Sequence, residues 1–312
     1  MAGPPDAAPA ILVAGAGAIG SFLAARLSNA GYDAALLARG RRLEDLAAEG
    51  VLLAEYGKVS RVAVPVTGAV MARDPAQWIV LCTKTLDIPA VLDAVSLAVG
   101  PATTFVTTQN GVDTPGRVAA CYPGSAILAA RIHGFFELDS RTVRHVGVTP
   151  SIVLGEVREA GTGAEKALAF CDILSGAGIS ARRSGDIEAE LWQKFVLASA
   201  LGGVGAATGL PAGPMLRDPA AWALLAEAVS EVCALAERRG VRLAPDTARR
   251  TLDFVARFPD DARTSMMRDL EAGRPSEYAS LTGAVLDMAQ QAGLAVPAFE
   301  TIEARLKARG LI

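Results

Sequence analysis

The sequence predicts an α/β fold in which an N-terminal doubly wound sheet is followed by an all-α C-terminal domain. From Ala10 to about Gly185, short apolar runs alternate with helical patterns, which is typical of a mostly parallel sheet. Beyond Ile187 the spacing of apolar residues becomes almost wholly helical. We therefore expect a disordered tail over residues 1–9, a sheet domain over 10–185 and a helical domain over 186–312.

Composition narrows the class of protein. The 312 residues carry a formal net charge of −3, which gives no electrostatic reason to expect nucleic acid or an anionic membrane as a partner. The four cysteines form no CxxC pair, which is typical of reduced thiols in the cytoplasm. Two histidines, His133 and His145, are too few for a histidine-rich site, so no metal is expected. These features predict a soluble, cytoplasmic protein.

One uncharged segment, residues 195–216, is long enough to span a bilayer. It contains five glycines and two prolines, which would leave backbone groups without hydrogen bonds in lipid. We therefore predict a buried, broken helix and no membrane partner.

The first strand and helix are predicted by the stretch from Ile11 to Gly20. An aliphatic run meets a G-x-G-x-x-G motif, and a helical pattern follows directly. The first glycine permits a tight turn, the second lets the backbone approach a pyrophosphate, and the third lets the helix pack close to the strand. The helix N-terminus offers N–H groups to the phosphates. This order predicts a Rossmann-type cofactor site formed by Gly15, Ala16, Gly17, Ala18, Ile19 and Gly20.

The second predicted strand, residues 33–39, indicates which nucleotide binds. NAD-selective proteins usually place Asp or Glu at its end, about 20 residues after the glycines. Here Arg39 holds that position, and its guanidinium can pair with a 2′-phosphate in a contact worth roughly 1.5–3 kcal/mol. The alternative is a solvated basic start of the next helix, because Arg41 and Arg42 follow. We favour NADP(H).

Polar residues follow two later strands of the predicted sheet, where ligands bind in open α/β sheets. Lys84 follows the strand at 78–83, and Asn110 follows the strand at 104–108. Each has a plainer interpretation, as a solvated loop cation and as an ordinary Asn-Gly turn. The remaining predicted strands are 51–54, 59–66, 126–131, 143–146 and 151–155, and the helices are 42–49, 88–98 and 164–175.

The helical domain supplies the catalytic candidate. Lys194 shares one helix face with Ala198 and Gly202, at i, i+4 and i+8. Small residues beside a lysine leave room for a ligand in front of its ammonium. The alternative is a surface lysine paired with Glu190, worth a few tenths of a kcal/mol. The predicted helices are 187–200, 222–239, 247–258, 263–271 and 276–291.

Six elements, in an order that covers nearly the whole chain, resemble the ketopantoate reductase (2-dehydropantoate 2-reductase) family. By this resemblance the fold is a Rossmann-type domain plus a helical domain of the 6-phosphogluconate dehydrogenase C-terminal type. The elements are the glycine motif, Arg39, Cys82-Thr-Lys84-Thr, Gln109-Asn110-Gly111, Glu190-Leu-Trp-Gln-Lys194, and Ser265-Met-Met-Arg-Asp269 followed by Glu277.

The resemblance implies NADPH-dependent reduction of a 2-keto acid to a 2-hydroxy acid. In the family's type case the reaction converts ketopantoate to pantoate, in pantothenate and coenzyme A synthesis. Lys194 matches the general acid, and Ser265 matches a hydroxyl donor to substrate, although it could equally cap a helix. Four residues match positions that bind the cofactor. Asn110 matches a position at the junction of cofactor and substrate, and Arg39 and Lys84 match positions that bind the 2′-phosphate side. Glu277 matches an acidic position near the cofactor, although it could instead complement a helix dipole.

The chain also departs from the family pattern. Members that act on ketopantoate usually carry asparagines where Ala198 and Gly202 stand, often another near Ala212, and an acidic residue at Ala279. At about 1 kcal/mol per lost hydrogen bond, three missing amides would cost about 3 kcal/mol, roughly a hundredfold in transition-state binding. The departures predict a less polar and roomier pocket.

Three functions are consistent with this pattern. The first is ketopantoate reduction, and the second is reduction of a bulkier or more apolar 2-keto acid by a paralogous enzyme. The third is a non-catalytic NADPH-binding sensor, against which the presence of Lys194 argues. The apolar helix faces of the second domain are consistent with a homodimer.

Overall fold

The computed structural model describes residues 10–55, 57–70, 75–157 and 163–312, so the tail predicted at 1–9 lies outside the described residues. Its contacts divide the chain into two compact units. The sheet unit comprises the described residues up to Gln109 together with Asp113–Ile187. The helical unit comprises Glu188–Ile312 and the short segment Asn110–Val112.

Among its described residues, the sheet unit contains a ten-stranded sheet with both parallel and antiparallel pairs. Its strands are β1 (Ile11–Ala14), β2 (Ala34–Leu37), β3 (Val51–Glu55), β4 (Lys58–Val62), β5 (Val66–Thr67), β6 (Trp78–Leu81), β7 (Thr104–Thr107), β8 (Ala126–Asp139), β9 (Thr142–Glu156) and β10 (Ser180–Arg183). The order is β4-β3-β9-β8-β7-β6-β1-β2-β5, and β10 pairs with β9.

Helices cover both faces of this sheet, as expected of a doubly wound fold. Along β1, Ile11 and Val13 belong to one buried cluster, while Leu12 and Ala14 belong to the other. Successive side chains of a strand point to opposite faces, so both faces of β1 are buried. The helices of this unit are α1 (Ala18–Asn29), α2 (Gly40–Glu49), α3 (Ile88–Val95), α4 (Thr114–Cys121) and α5 (Gly163–Gly176).

A long hairpin replaces three short predicted strands. The segments predicted at 126–131, 143–146 and 151–155 lie within β8 and β9, which pair antiparallel. Their register shifts between His133 and Phe135, where Gly134 adopts a φ of +127°. A bulge of this kind breaks the strict alternation from which strand length is predicted.

The helical unit contains seven helices among its described residues. They are α6 (Ile187–Thr208), α7 (Ala212–Arg217), α8 (Pro219–Arg238), α9 (Thr247–Val255), α10 (Ser265–Glu271), α11 (Thr282–Ala292) and α12 (Pro297–Ala308). The predicted break in the apolar segment is confirmed, because α6 stops before Gly209, which has a φ of +75°. The guanidinium of Arg263 donates to the Gly209 carbonyl at 3.2 Å, and that of Arg309 donates to the Ala206 carbonyl.

One helix among the described residues, α8, is long and apolar enough to cross a membrane, with a mean hydropathy of 1.4. Its Leu225 and Val229 are fully buried in the core of the helical unit. Its Glu231 carboxylate accepts hydrogen bonds from the backbone N–H groups of Ala298 and Phe299, at 2.8 and 3.2 Å. These contacts identify α8 as a core helix.

Candidate active site

The glycine turn between β1 and α1 has the geometry of a phosphate cradle. Gly15 has a φ of +117°, and a Cβ there would lie 2.7 Å from the backbone nitrogen of Thr83, so only glycine fits. A Cβ on Gly17 would meet nothing within 4 Å, which leaves the backbone open to a ligand. The helix begins at Ala18 without a side-chain cap, so no cap side chain occupies its first N–H groups. These features fit the pyrophosphate of a dinucleotide.

A groove of about 370 Å³ lies beside the turn, within the range of small-molecule pockets. Its walls come from the carboxyl ends of β1, β2 and β6, which is where ligands bind in open α/β sheets. The lining residues used below are Gly15, Ala16, Gly17, Arg39, Lys84 and Asp87. The predicted positions Ala18, Ile19 and Gly20 form the first turn of α1.

Two exposed cations and one carboxylate lie along the described part of the groove. Arg39 and Lys84 are exposed, as a role in binding a 2′-phosphate requires. The guanidinium of Arg39 lies 3.7 Å from the carboxylate of Asp87. Asp87 was not among the predicted site residues, although an acidic residue three positions after Lys84 was visible in the sequence. Arg39, the predicted anion-binding residue, is therefore paired with a carboxylate of the protein, that of Asp87.

Arg42 also lines the groove, but its donors are directed at the protein. Nε donates to the Ala16 carbonyl at 3.2 Å, Nη2 to the Ser21 hydroxyl at 3.1 Å, and Nη1 to the Arg141 carbonyl at 3.3 Å. Burial lowers the pKa of this guanidinium, and the nearby Asp45 carboxylate partly offsets that effect. Arg42 is thus half-buried and bonded to the protein itself, whereas Arg39 is exposed.

In the helical unit, Asn110 contacts Glu277. The carboxamide nitrogen of Asn110 donates to Oε2 of Glu277 at 3.1 Å, and Glu277 is 8% exposed. Glu277 directly precedes the 3-10 turn Tyr278–Ser280 and makes no side-chain cap there. The helix predicted at 276–291 begins at Thr282 instead, so Glu277 precedes a 3-10 turn and is not in the first turn of an α-helix.

Lys194 lies on α6 and is half-buried, as is Ala198 one turn further on. Ser265 is exposed and is the first residue of α10. The helix is capped by Thr264 instead, whose hydroxyl accepts a hydrogen bond from the Met267 N–H at 3.2 Å. The alternative role of Ser265 as the cap is therefore wrong, and its hydroxyl is not required by the helix terminus.

The space expected beside Gly202 is filled. A Cβ on Gly202 would lie 2.7 Å from the terminal methyl of Met266, which is 1% exposed. One residue further along α6, a Cβ on Gly203 would lie 3.0 Å from the Thr282 hydroxyl, which donates to the Ser199 carbonyl at 3.0 Å. These glycines allow α10 and α11 to approach α6 closely. The prediction of a roomier pocket at Gly202 was therefore wrong, whereas the prediction of an apolar surface there agrees with the Met266 side chain.

The described residues offer neither a metal cluster nor a thiolate in the groove. Within that part of the chain, no group of three or more His, Cys, Asp or Glu side chains is placed to hold a metal ion. Cys82 lines the groove, and burial raises the pKa of its thiol to about 12. Its sulfur is therefore protonated at neutral pH and is a poor nucleophile.

The chain matches two family models that lie side by side along it. Residues 11–159 match the model described as ketopantoate reductase PanE/ApbA, and residues 186–310 match the C-terminal model of the same family. A 2-dehydropantoate 2-reductase of Mesorhizobium japonicum is 30% identical over 321 aligned positions, which cover 95% of this chain and 96% of the relative.

Solved structures agree with the family models. A PanE/ApbA family ketopantoate reductase from Ralstonia eutropha JMP134 superposes with a TM-score of 0.85 at 25% identity, over 96% of this chain and 97% of the other. A D-mandelate dehydrogenase, solved with NADH and anilino(oxo)acetate, shares the fold at 20% identity, with a TM-score of 0.85 over 96% and 98% of the two chains. Since the two family models together match most of its length, this chain belongs to the ketopantoate reductase family and is an oxidoreductase with a Rossmann-type domain.

Proposed function

We propose that the protein reduces ketopantoate to pantoate with NADPH, and that Lys194 is the general acid. The family supports reduction of a 2-keto acid with a nicotinamide cofactor. The observation that carries the cofactor assignment is the groove beside the glycine turn, which Arg39 and Lys84 both line. A cytoplasmic location and a homodimer through the helical unit remain predictions.

The residues of the sheet unit account for cofactor binding. The first N–H groups of α1 bind the pyrophosphate, and the open backbone at Gly17 allows it to approach. Arg39 and Lys84 bind the 2′-phosphate by charge-assisted hydrogen bonds, which NADH cannot make. When bound, the reduced nicotinamide supplies the hydride that reduces the keto carbon.

In the proposed mechanism Lys194 acts on the keto oxygen. Its ammonium donates a hydrogen bond to that oxygen, polarises the carbonyl and transfers a proton as negative charge develops. The amine then recovers a proton from water. The Asn110 carboxamide gives one N–H to Glu277 and retains a second N–H and a carbonyl oxygen, with which it can bind cofactor or substrate. Ser265 donates its hydroxyl to the substrate.

A second candidate substrate is a branched or aromatic 2-keto acid. The observation that favours it is the apolar character of α6 beyond Lys194. Ala198 and Gly202 replace the family's asparagines, and the Met266 side chain occupies the space next to Gly202. A substrate with a hydrocarbon side chain loses no hydrogen bond where those amides are missing, whereas the hydroxyl of ketopantoate would lose the hydrogen bonds that they make.

The test is NADPH oxidation by the purified protein, followed by absorbance, with ketopantoate beside a panel of branched and aromatic 2-keto acids. Efficient turnover of ketopantoate supports the first candidate, and preference for another keto acid supports the second. Lys194→Met should lower kcat about 10²–10⁴-fold while NADPH still binds. Lys166→Met, a change at another half-buried lysine, is the control. NADPH binding without turnover of any keto acid by the parent protein would support the sensor.

A further inference from the structure

We propose that Arg42 is a positioning residue for cofactor binding, because it holds the glycine turn in the shape that receives the pyrophosphate. This inference rests on the proposed function only in that the groove takes a nicotinamide dinucleotide. It gives Arg42 a role different from that of Arg39, although both belong to one basic cluster of the sequence.

The guanidinium of Arg42 connects three separate segments of the sheet unit. From the start of α2 it donates to the Ala16 carbonyl in the glycine turn, to the Ser21 hydroxyl on α1, and to the Arg141 carbonyl at the tip of the β8–β9 hairpin. Ser21 is fully buried, and its hydroxyl also donates to the Ala16 carbonyl, at 3.2 Å. The Ala16 carbonyl therefore accepts two hydrogen bonds.

The orientation of the Ala16 carbonyl also sets the orientation of the next backbone donor, the N–H group of Gly17. The Ala16–Gly17 peptide is planar and trans, so the Gly17 N–H points opposite to the Ala16 carbonyl. Gly17 has no side chain to restrict it, and glycine explores more backbone conformations than any other residue. The bonds from Arg42 and Ser21 therefore determine the direction of the Gly17 N–H, in a turn that lines the groove.

Arg42 is itself supported by a second arginine. The guanidinium of Arg141 lies 3.0 Å from the Asp45 carboxylate and 2.5 Å from that of Glu49, and both acidic residues are on α2. The hairpin tip and α2 thus hold each other, and this arrangement presents the Arg141 carbonyl to Arg42. With three donors used in this way, Arg42 is placed to shape the turn rather than to follow a phosphate.

The experiment measures the dissociation constants of NADPH and NADH separately, from the fluorescence of the bound reduced nucleotide. Arg42→Met should raise both constants by the same factor, about five- to tenfold, as expected for the loss of one or two hydrogen bonds. The cofactor KM should rise with it, while kcat at saturating NADPH is retained. The control is Arg41→Met, which removes the same charge from an exposed neighbour and should change neither constant by more than about twofold.

Two further variants separate geometry from charge and from misfolding. Ser21→Ala keeps Arg42 and its Nε bond to the Ala16 carbonyl, but it removes the Ser21 bond to that carbonyl and the hydroxyl that accepts from Nη2 of Arg42. It should therefore raise both constants by an equal factor that is smaller than for Arg42→Met. Arg42→Lys keeps the charge, but its three N–H groups share one nitrogen, whereas the three acceptors are served by three different nitrogens of the guanidinium. It should therefore resemble Arg42→Met.

Three results would overturn the inference. They are full rescue by lysine, a loss confined to NADPH, and an equal effect of Arg41→Met. If the parent protein bound neither nucleotide, the proposed function would fail first, before any variant was compared.

Discussion

Asn110 and Glu277 are 167 positions apart in sequence, yet the Asn110 carboxamide donates to the Glu277 carboxylate at 3.1 Å. Because Glu277 is 8% exposed, its carboxylate oxygens need hydrogen-bond donors from the protein in place of water. Asn110→Asp replaces a donor with a second carboxylate, and we expect it to lower the free energy of unfolding by about 1–3 kcal/mol, measured by denaturant titration. The variant should also weaken turnover.

Reversing the polarity of this pair provides the control. In the double variant Asn110→Asp with Glu277→Gln, the glutamine can donate to the aspartate, so part of the lost stability should return. A double variant whose loss equals the sum of the two single losses would show that the two side chains are not coupled.

Asp87 should weaken the preference for NADPH, because its carboxylate competes with a 2′-phosphate for Arg39. We expect Asp87→Asn to tighten NADPH binding about two- to fivefold and to leave NADH binding nearly unchanged. The expected gain is small because the side chains of Arg39 and Asp87 are exposed, so that water screens their attraction. The gain should shrink as salt is added. Asp93→Asn, on the exposed face of the adjoining helix α3, is the charge-matched control. An equal gain for NADH would contradict this role.

Restoring an amide on α6 should improve turnover of ketopantoate. Gly202→Asn alone would bring a Cβ 2.7 Å from the Met266 methyl, so the substitution needs Met266→Ala as its companion. If the new amide bonds the substrate, kcat/KM for ketopantoate should rise about fivefold, as one hydrogen bond of about 1 kcal/mol allows. Met266→Ala alone is the control for the cavity. The idea fails if the double variant gains equally on an aliphatic keto acid that has no hydroxyl.

Tyr278 should make stability depend on alkaline pH. Burial and the neighbouring Glu303 carboxylate raise the pKa of its phenol to about 12. A group whose pKa is raised in the folded state stabilises the protein below its ordinary pKa, here 10, and loses that contribution as pH rises toward 12. The parent protein should therefore lose more unfolding free energy than Tyr278→Phe between pH 9 and 11. A difference that stays constant over that interval would exclude the effect.

The fold class could be predicted because its signals are local. The glycine motif, the apolar runs and the change to helical spacing after Ile187 each lie within a short window of sequence. The strand β10 was missed for the opposite reason, since Ser180–Arg183 contains two arginines and no apolar run and is defined by its pairing with β9. Pairing across the sheet is not visible in four residues.

The candidate site could be predicted only as a set of positions. Residue types suggested Arg39, Lys84 and Lys194, but not the acceptors of Arg42, which are two backbone carbonyls and a hydroxyl in distant segments. Similarly, Gly202 indicated space in the sequence, while the structure shows that Met266, on another helix, fills it. Whether a small residue leaves an open space depends on the side chains that other helices and strands place beside it.

The segment Asn110–Val112 belongs by its contacts to the helical unit, although Gln109 and Asp113 on either side of it belong to the sheet unit. Val112 packs against the helical core, and Asn110 supplies the hydrogen bond to Glu277. A fragment cut at residue 187 would therefore lack three residues of its own unit, among them Val112 and Asn110 with these contacts. The helical unit is complete only with Asn110–Val112, and the residues on both sides of that segment belong to the sheet unit. The two units are for this reason expected to unfold in one cooperative transition and to resist separate expression.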